Sequence, residues 1–135
     1  MFEKSAEAEK ASQSPRMKVL ATALTWTGYY YNLVGQHDKE IKNYEEALAI
    51  ARKLGQEDKV AIYLNKIGYV YYSWGQYDMA IKYNEEALAI DKRLGNEAGV
   101  VVDLNSLHLL YSKVPHHNSW LDYIAFYREF SYLMK

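Results

Sequence analysis

The sequence contains no cysteine and only two prolines, and no apolar run in it approaches the length of a membrane helix. Without cysteine the chain can form no disulfide, no thiolate nucleophile and no cysteine-ligated zinc site. The 16 basic side chains nearly balance the 17 acidic ones, so no excess positive charge would draw the chain onto nucleic acid or an anionic membrane. We therefore expect no nucleic-acid partner, no membrane span and a cytoplasmic location.

The remaining composition is that of a folded chain rich in tyrosine. Half of the 135 residues are apolar and 24% are charged, which is ordinary for a globular protein and fits a single domain over residues 1–135. Fourteen tyrosines supply rings that can pack while their hydroxyls reach a partner or water. Such side chains suit helix packing first and the walls of a binding groove second.

An internal repeat organises the chain. Residues 21–60 align with residues 61–100 without a gap, and half of the aligned positions are identical. A third copy follows and diverges after Pro115. Self-similarity at a fixed period is typical of arrays in which no single unit can bury its apolar face alone. The predicted divisions are a polar extension over 1–16, repeat one over 17–57, repeat two over 58–97 and a divergent repeat three over 98–135.

The spacing of apolar residues within each repeat is helical. Leu64, Ile67 and Tyr71 recur at steps of three and four, and the second half of the repeat continues in the same way. Each repeat should therefore be two antiparallel helices. The predicted fold class is all-α, with about three stacked helical hairpins and no strand over the repeats.

Glycine and aspartate mark the ends of these helices. A Gly-Gln dipeptide separates the two helices of each repeat, and Asp38 and Asp78 follow it where an acidic side chain could cap the next helix. Gly55 and Gly95 come after basic turns and are predicted to end the second helix in the left-handed conformation.

The spacing of Leu64, Gly68 and Tyr71, followed by Ala80 and Ala87, resembles the tetratricopeptide signature. The period is longer than usual for that family and is similar to that of kinesin light chains, cell-polarity adaptors and many bacterial regulators. HEAT and armadillo repeats also admit this period, but they would not explain the glycine–tyrosine spacing or the two alanines. The resemblance implies a superhelical interaction module that binds a protein or peptide, with an adaptor or regulatory role, and no enzymatic activity.

Four positions depart from the signature. Thr27 stands where leucine is usual, and Glu40 stands where a small alanine belongs, so its carboxylate is expected to reach water or a cation. Asn84 occupies the place of an aromatic residue. His108 replaces the glycine, so the helices of the third repeat are expected to lie further apart.

The resemblance implies that the first helix of each hairpin lines a concave groove. Asn65 and Asn105 occupy equivalent positions in that helix, and their carboxamides could pair with the backbone of an extended peptide. The alternative is that both amides bond neighbouring helix groups. Thr25 and Tyr29 stand where chaperone-binding relatives carry a carboxylate clamp, so that clamp is missing. The predicted peptide-binding residues are Thr25, Tyr29, Asn32, Asn65, Tyr69, Tyr72, Asn105 and Leu109.

No catalytic or metal-binding constellation stands out. The sequence has no metalloprotease motif, nucleophile elbow or phosphate loop. His116 and His117 could touch a metal, but two adjacent histidines without placed carboxylates are more often exposed loop residues. Glutamate pairs such as Glu45 and Glu46 recur with the repeat on a polar helix face. We expect no cofactor, no metal and no enzyme.

The two ends of the chain contrast. Residues 3–14 are helix-prone without an apolar face, as in a solvating cap or a worn preceding unit. The stretch 119–134 is predicted to form a helix that is apolar on most sides. A capping box of Ser119 and Asp122 marks its start. It could cover the third repeat and form a homodimer, pack against a further repeat, or fold over the groove. The predicted self-association residues are Trp120, Leu121, Phe126 and Leu133.

Overall fold

The computed structural model describes residues 2–114 and 120–133, and the side chains of residues 14–114 and 127–133. Every regular element within these ranges is an α-helix, which confirms the all-α class of helical hairpins. The chain forms two compact units, residues 1–63 and 64–135, and the boundary falls within the third helix. The elements are α1 (Phe2–Leu33), α2 (His37–Lys53), α3 (Glu57–Ser73), α4 (Tyr77–Leu94), α5 (Glu97–Lys113) and α6 (Trp120–Leu133).

Glycines in the left-handed conformation end the helices of the repeats. Gly35, Gly55, Gly75 and Gly95 have φ values of 74°, 69°, 80° and 68°, which a side chain would oppose. At the end of α4 the amide of Gly95 donates to the carbonyl of Lys92 at 3.1 Å, and that of Asn96 donates to Asp91 at 2.9 Å. The predicted C-terminal roles of Gly55 and Gly95 are confirmed.

The predicted caps of the second helices were wrong by two residues. The N-caps of α2 and α4 are Gln36 and Gln76, and neither makes a side-chain cap bond. Asp38 and Asp78 lie inside the first helical turn, where a negative charge stabilises the positive end of the helix dipole. A side-chain cap does occur at α5, where Asn96 accepts a bond from the Gly99 amide at 3.1 Å.

The predicted N-terminal extension is part of one long helix. α1 runs from Phe2 to Leu33 with Pro15 inside it, so no turn separates residues 3–14 from the first helix of repeat one. A proline in a helix removes one backbone hydrogen bond and crowds the preceding turn, yet the helix continues through it.

The first unit is built around the crossing of α1 and α2. Gly28 lies so close to α2 that an added Cβ would meet the Tyr44 ring at 2.6 Å. Glu40 is only 2% exposed, with its carboxylate 3.6 Å from the His37 ring nitrogen, so it turns to an ionisable neighbour and not to water. Burial and, to a smaller extent, the negative charge of Glu40 raise the pKa of Tyr44 to about 12.

The second unit has its own core between α4 and α5. Its buried members are Ala80, Ile81, Leu88, Val100, Leu104, Leu107, Leu110 and Tyr111. On α5, the exposed His108 ring lies stacked on Phe130 of α6 with centroids 5.9 Å apart, and edge-on to Tyr127. The third repeat therefore ends in a helix that packs on α5 through side chains at the position where the other repeats carry glycine.

Candidate functional site

A pocket of about 270 Å³ in the second unit gathers most of the predicted binding residues. Five of them line it together, and three further residues complete its walls. The lining residues are Asn65, Tyr69 and Tyr72 on α3, Asn84 on α4, and Asn105, Ser106, Leu109 and Leu110 on α5. The two repeat-equivalent asparagines therefore face one pocket.

Part of the Asn65 amide is used inside the protein. Its Nδ2 donates to Oδ1 of Asp103 at 2.5 Å. The same register recurs one repeat earlier, where the hydroxyls of Thr25 and Tyr63 are 3.3 Å apart. Thr25 also donates to the Ala21 carbonyl at 2.8 Å. The alternative interpretation therefore holds for one donor of Asn65, while its carbonyl oxygen stays available to the pocket.

Asn84 is a site residue that sequence reasoning noted only as a departure from the signature. Its side chain is 2% exposed and its Nδ2 donates to the Ala80 carbonyl at 3.0 Å. Its Oδ1 has no hydrogen-bond partner among the residues that the structure describes. Because buried carbonyl oxygens are nearly always bonded, an unpaired acceptor on a residue that lines the pocket is an exception. An asparagine in an aromatic position was the signal that could have identified it.

Two buried carboxyl groups lie behind Asn65. Asp103 is fully buried and Asp91 is 4% exposed. Burial, followed by the hydrogen bond and the negative charge of Asp91, raises the pKa of Asp103 to about 8, although the Asn65 amide lowers it. Asn96 donates to the other side of the pair, at 3.2 Å from Asp91. The equivalent residues one repeat earlier are Ala51 and Tyr63, so the change from uncharged to acidic side chains was a signal in the sequence that sequence reasoning missed.

Tyrosine rings form the outer wall of the pocket. The rings of Tyr69 and Tyr72 lie 6.3 Å apart at 33° to each other. Tyr69 is 60% exposed and Leu109 is 45% exposed, which leaves apolar surface at the mouth. The pocket thus has an amide floor and an aromatic rim, a combination that suits a ligand with both polar and apolar parts.

The predicted binding residues of the first unit lie on α1. Tyr29 is half exposed and meets Trp26 edge to face, with centroids 6.2 Å apart. Thr25 and Asn32 are half-buried. All three belong to residues 1–63, whereas the pocket belongs to residues 64–135. Their part in ligand binding stays a prediction.

The end of α6 lines a second pocket, of about 500 Å³, with the end of α4 and the start of α5. Leu133 and Tyr132 lie at this pocket and are 41% and 80% exposed. An ion pair between Lys92 and Glu129 joins α4 to α6 beside it. The other predicted self-association residues are Trp120, Leu121 and Phe126, and their side chains lie outside the described part of the chain. The predicted capping box also lies outside it, because Ser119 and the side chain of Asp122 are not described.

The described ranges contain neither a metal-ligand cluster nor a membrane-spanning helix. In those ranges no three histidine or acidic side chains come together as metal ligands would. His116 and His117 fall in the gap between α5 and α6 that the structure leaves undescribed. No helix in the same ranges has the length and apolar content to cross a membrane.

Comparison with known proteins identifies the fold. A model of the tetratricopeptide repeat matches residues 19–93, more than half of the chain. The tetratricopeptide domain of Arabidopsis FLU superposes with a TM-score of 0.68 at 21% identity, over 73% of this chain and 83% of that one. BtubC (BKLC) from P. vanneervenii superposes with a TM-score of 0.63 at 31% identity; 72% of this chain matches only 40% of its length. No curated protein matched.

Proposed function

Because this chain belongs to the tetratricopeptide repeat family, whose domains are protein–protein interaction modules, we propose that it binds a peptide segment of a partner protein through the pocket of its second unit. The ligand would lie along the first helices of repeats two and three, against Asn65, Tyr69, Tyr72, Asn105 and Leu109. The role that follows is that of an adaptor or regulator in the cytoplasm.

The observation that supports this proposal is the pairing of two repeat-equivalent asparagines around one pocket. A carboxamide carries a donor and an acceptor, so two of them can bond the backbone of an extended peptide whatever its side chains are. The exposed rings and Leu109 then add apolar contact without requiring charge. None of the described residues that line this pocket is a lysine of the kind that a carboxylate clamp would need.

Selection of random peptides displayed on phage, with the purified chain as bait, tests the proposal. Wild-type protein should enrich peptides that Asn65→Ala and Asn105→Ala bind more weakly, by about 1–3 kcal/mol each. Asn43→Ala serves as the matched control, because Asn43 lies on α2 in the first unit and bonds only its own helix, at the Lys39 carbonyl. Peptides that bind all four proteins equally would place the binding surface elsewhere.

Self-association through α6 is a second candidate function, and the two can coexist. It is supported by the exposed Tyr132 and Leu133 at the end of that helix, since burying one such side chain is worth about 1.5–3 kcal/mol. A homodimer about a twofold axis is the simplest arrangement that would cover identical helices. Light scattering coupled to size-exclusion chromatography tests it directly: a strict monomer at micromolar concentration removes this candidate.

A further inference from the structure

The pocket of the second unit is lined by Asn84, whose counterpart in the first unit is a larger residue. In the first unit the equivalent residue, Tyr44, is 5% exposed and its ring fills the space beside Gly28. In the second unit the shorter amide of Asn84 lies beside Gly68 instead. The replacement of a ring by an amide leaves room for one ligand side chain, since about 270 Å³ is below the usual size of a site for a whole drug-sized molecule.

The side-chain amides of Asn84 and Asn65 use their nitrogens in hydrogen bonds within the protein, which leaves their carbonyl oxygens as possible acceptors for a ligand. Nδ2 of Asn84 is held by the Ala80 carbonyl, and Nδ2 of Asn65 is held by Asp103. Amide orientation follows from such partners, because a carbonyl can only accept. The Oδ1 of Asn84 is buried and unpaired within the described residues. A ligand group that donates hydrogen bonds would therefore complement the inner end of the pocket.

The surroundings favour a donor that carries positive charge. No lysine, arginine or histidine is among the residues described at this pocket. Asn65 is hydrogen-bonded to the carboxyl group of Asp103, and the negative charge of Asp91 lies close enough to Asp103 to raise its pKa. At the mouth, the faces of Tyr69 and Tyr72 can attract a cation through their ring quadrupoles.

We propose that the pocket around Asn84 receives the ammonium group of a lysine side chain in the bound peptide, with the Oδ1 atoms of Asn84 and Asn65 as acceptors. The inference rests on the proposed function for the peptide and adds the chemistry of its anchoring residue. The aliphatic part of the lysine would lie between the tyrosine rings and Leu109. A compact ammonium has three donors for acceptors in different directions, whereas the planar guanidinium of arginine matches flat carboxylates and phosphates.

A small cation tests the pocket without any peptide. The probe is n-butylammonium, which is the lysine side chain alone, and 1-butanol at equal concentration is its neutral counterpart. The side-chain amide resonances of Asn84 and Asn65, followed by NMR, should shift saturably with butylammonium, with a Kd on the order of 1–10 mM. Butanol should bind at least about fivefold more weakly. Equal shifts with both probes, or no saturable shift with butylammonium, would overturn the proposal.

Variants locate the binding. Asn84→Leu keeps the branching and the number of heavy atoms of the side chain and removes the acceptor, so butylammonium should bind about tenfold more weakly. Tyr69→Leu changes an exposed ring without touching the core and should weaken binding about two- to fivefold. Tyr30→Leu is the matched control, because Tyr30 lies in the first unit, is as exposed as Tyr69 and is not among the predicted binding residues. Wild-type affinity in folded Asn84→Leu, or in Tyr69→Leu if the former does not fold, would also overturn it.

Phage-selected peptides separate this inference from the proposed function. Peptides with an enriched lysine whose binding falls on lysine acetylation support both. Enriched peptides that lack lysine and bind Asn84→Leu as well as wild type would leave the proposed function standing and overturn the lysine pocket. If no peptide is enriched while butylammonium still binds at Asn84, the cation site stands and the peptide function fails.

Discussion

Replacing Asp103 by asparagine should abolish a loss of stability that the wild-type chain suffers as the pH rises. Asp103 is fully buried, and burial together with Asp91 raises its pKa from 3.8 to about 8. Between these two values the folded chain holds a proton that the unfolded chain has released. The free energy of unfolding must therefore fall with rising pH in this window.

The size of the effect follows from the width of the window. Each pH unit inside it is worth at most about 1.4 kcal/mol, so the step from about pH 5 to about pH 8 can cost up to about 4 kcal/mol. Because the site around Asp103 can relax when the proton leaves, we expect a loss of about 2–4 kcal/mol. Asparagine keeps the size and neutrality of the protonated acid: its Oδ1 can accept from Asn65, and its Nδ2 can donate to Asp91.

Urea denaturation followed by circular dichroism measures this at the two pH values. Asp103→Asn should lose most of the pH dependence and should be the more stable protein at about pH 8. Asp58→Asn is the matched control, because Asp58 is exposed at the start of α3 and should leave the wild-type slope in place. If the free energy of unfolding of Asp103→Asn changed with pH as much as that of wild type, or if the variant were less stable than wild type at about pH 8, the Asp103 proton would not be the cause of the pH dependence.

Three further changes test other parts of the structure. Gly28→Ala should destabilise the first unit by about 1–3 kcal/mol in thermal or urea denaturation, because its Cβ would meet the Tyr44 ring at 2.6 Å; a cost below about 0.5 kcal/mol would contradict this close contact. Gly95→Ala should cost about 1 kcal/mol through its φ of 68°, with no clash to add, and an unchanged midpoint of unfolding would argue against the left-handed helix end. Leu133→Glu should dissociate a homodimer without loss of helicity, as measured by light scattering and circular dichroism; an unchanged dimer mass would exclude Leu133 from the interface.

The sequence alone determined the elements of this fold and the places where they end. An unbroken forty-residue repeat and helical spacing predicted the hairpins, and left-handed glycines such as Gly55 and Gly95 ended helices where expected. These features are local, because a positive φ and a face of apolar residues depend on neighbours within a few positions. Asp38 and Asp78 show the limit of this local reasoning: two residues decide between a cap and the first turn, and the spacing alone does not resolve that difference.

The hydrogen-bond partners of the individual polar side chains depend on tertiary packing and could not be read from the repeat. The pattern placed Asn65 and Asn105 in equivalent positions, but it could not show that Asp103 holds the Nδ2 of Asn65. Nor could it show that Asn84 leaves a carbonyl oxygen unpaired beside them. These relations join side chains on three different helices, α3, α4 and α5. A hydrogen bond between them forms only when the donor–acceptor distance is correct to within a few tenths of an ångström. A repeat specifies which residues are equivalent, whereas packing specifies which of them meet.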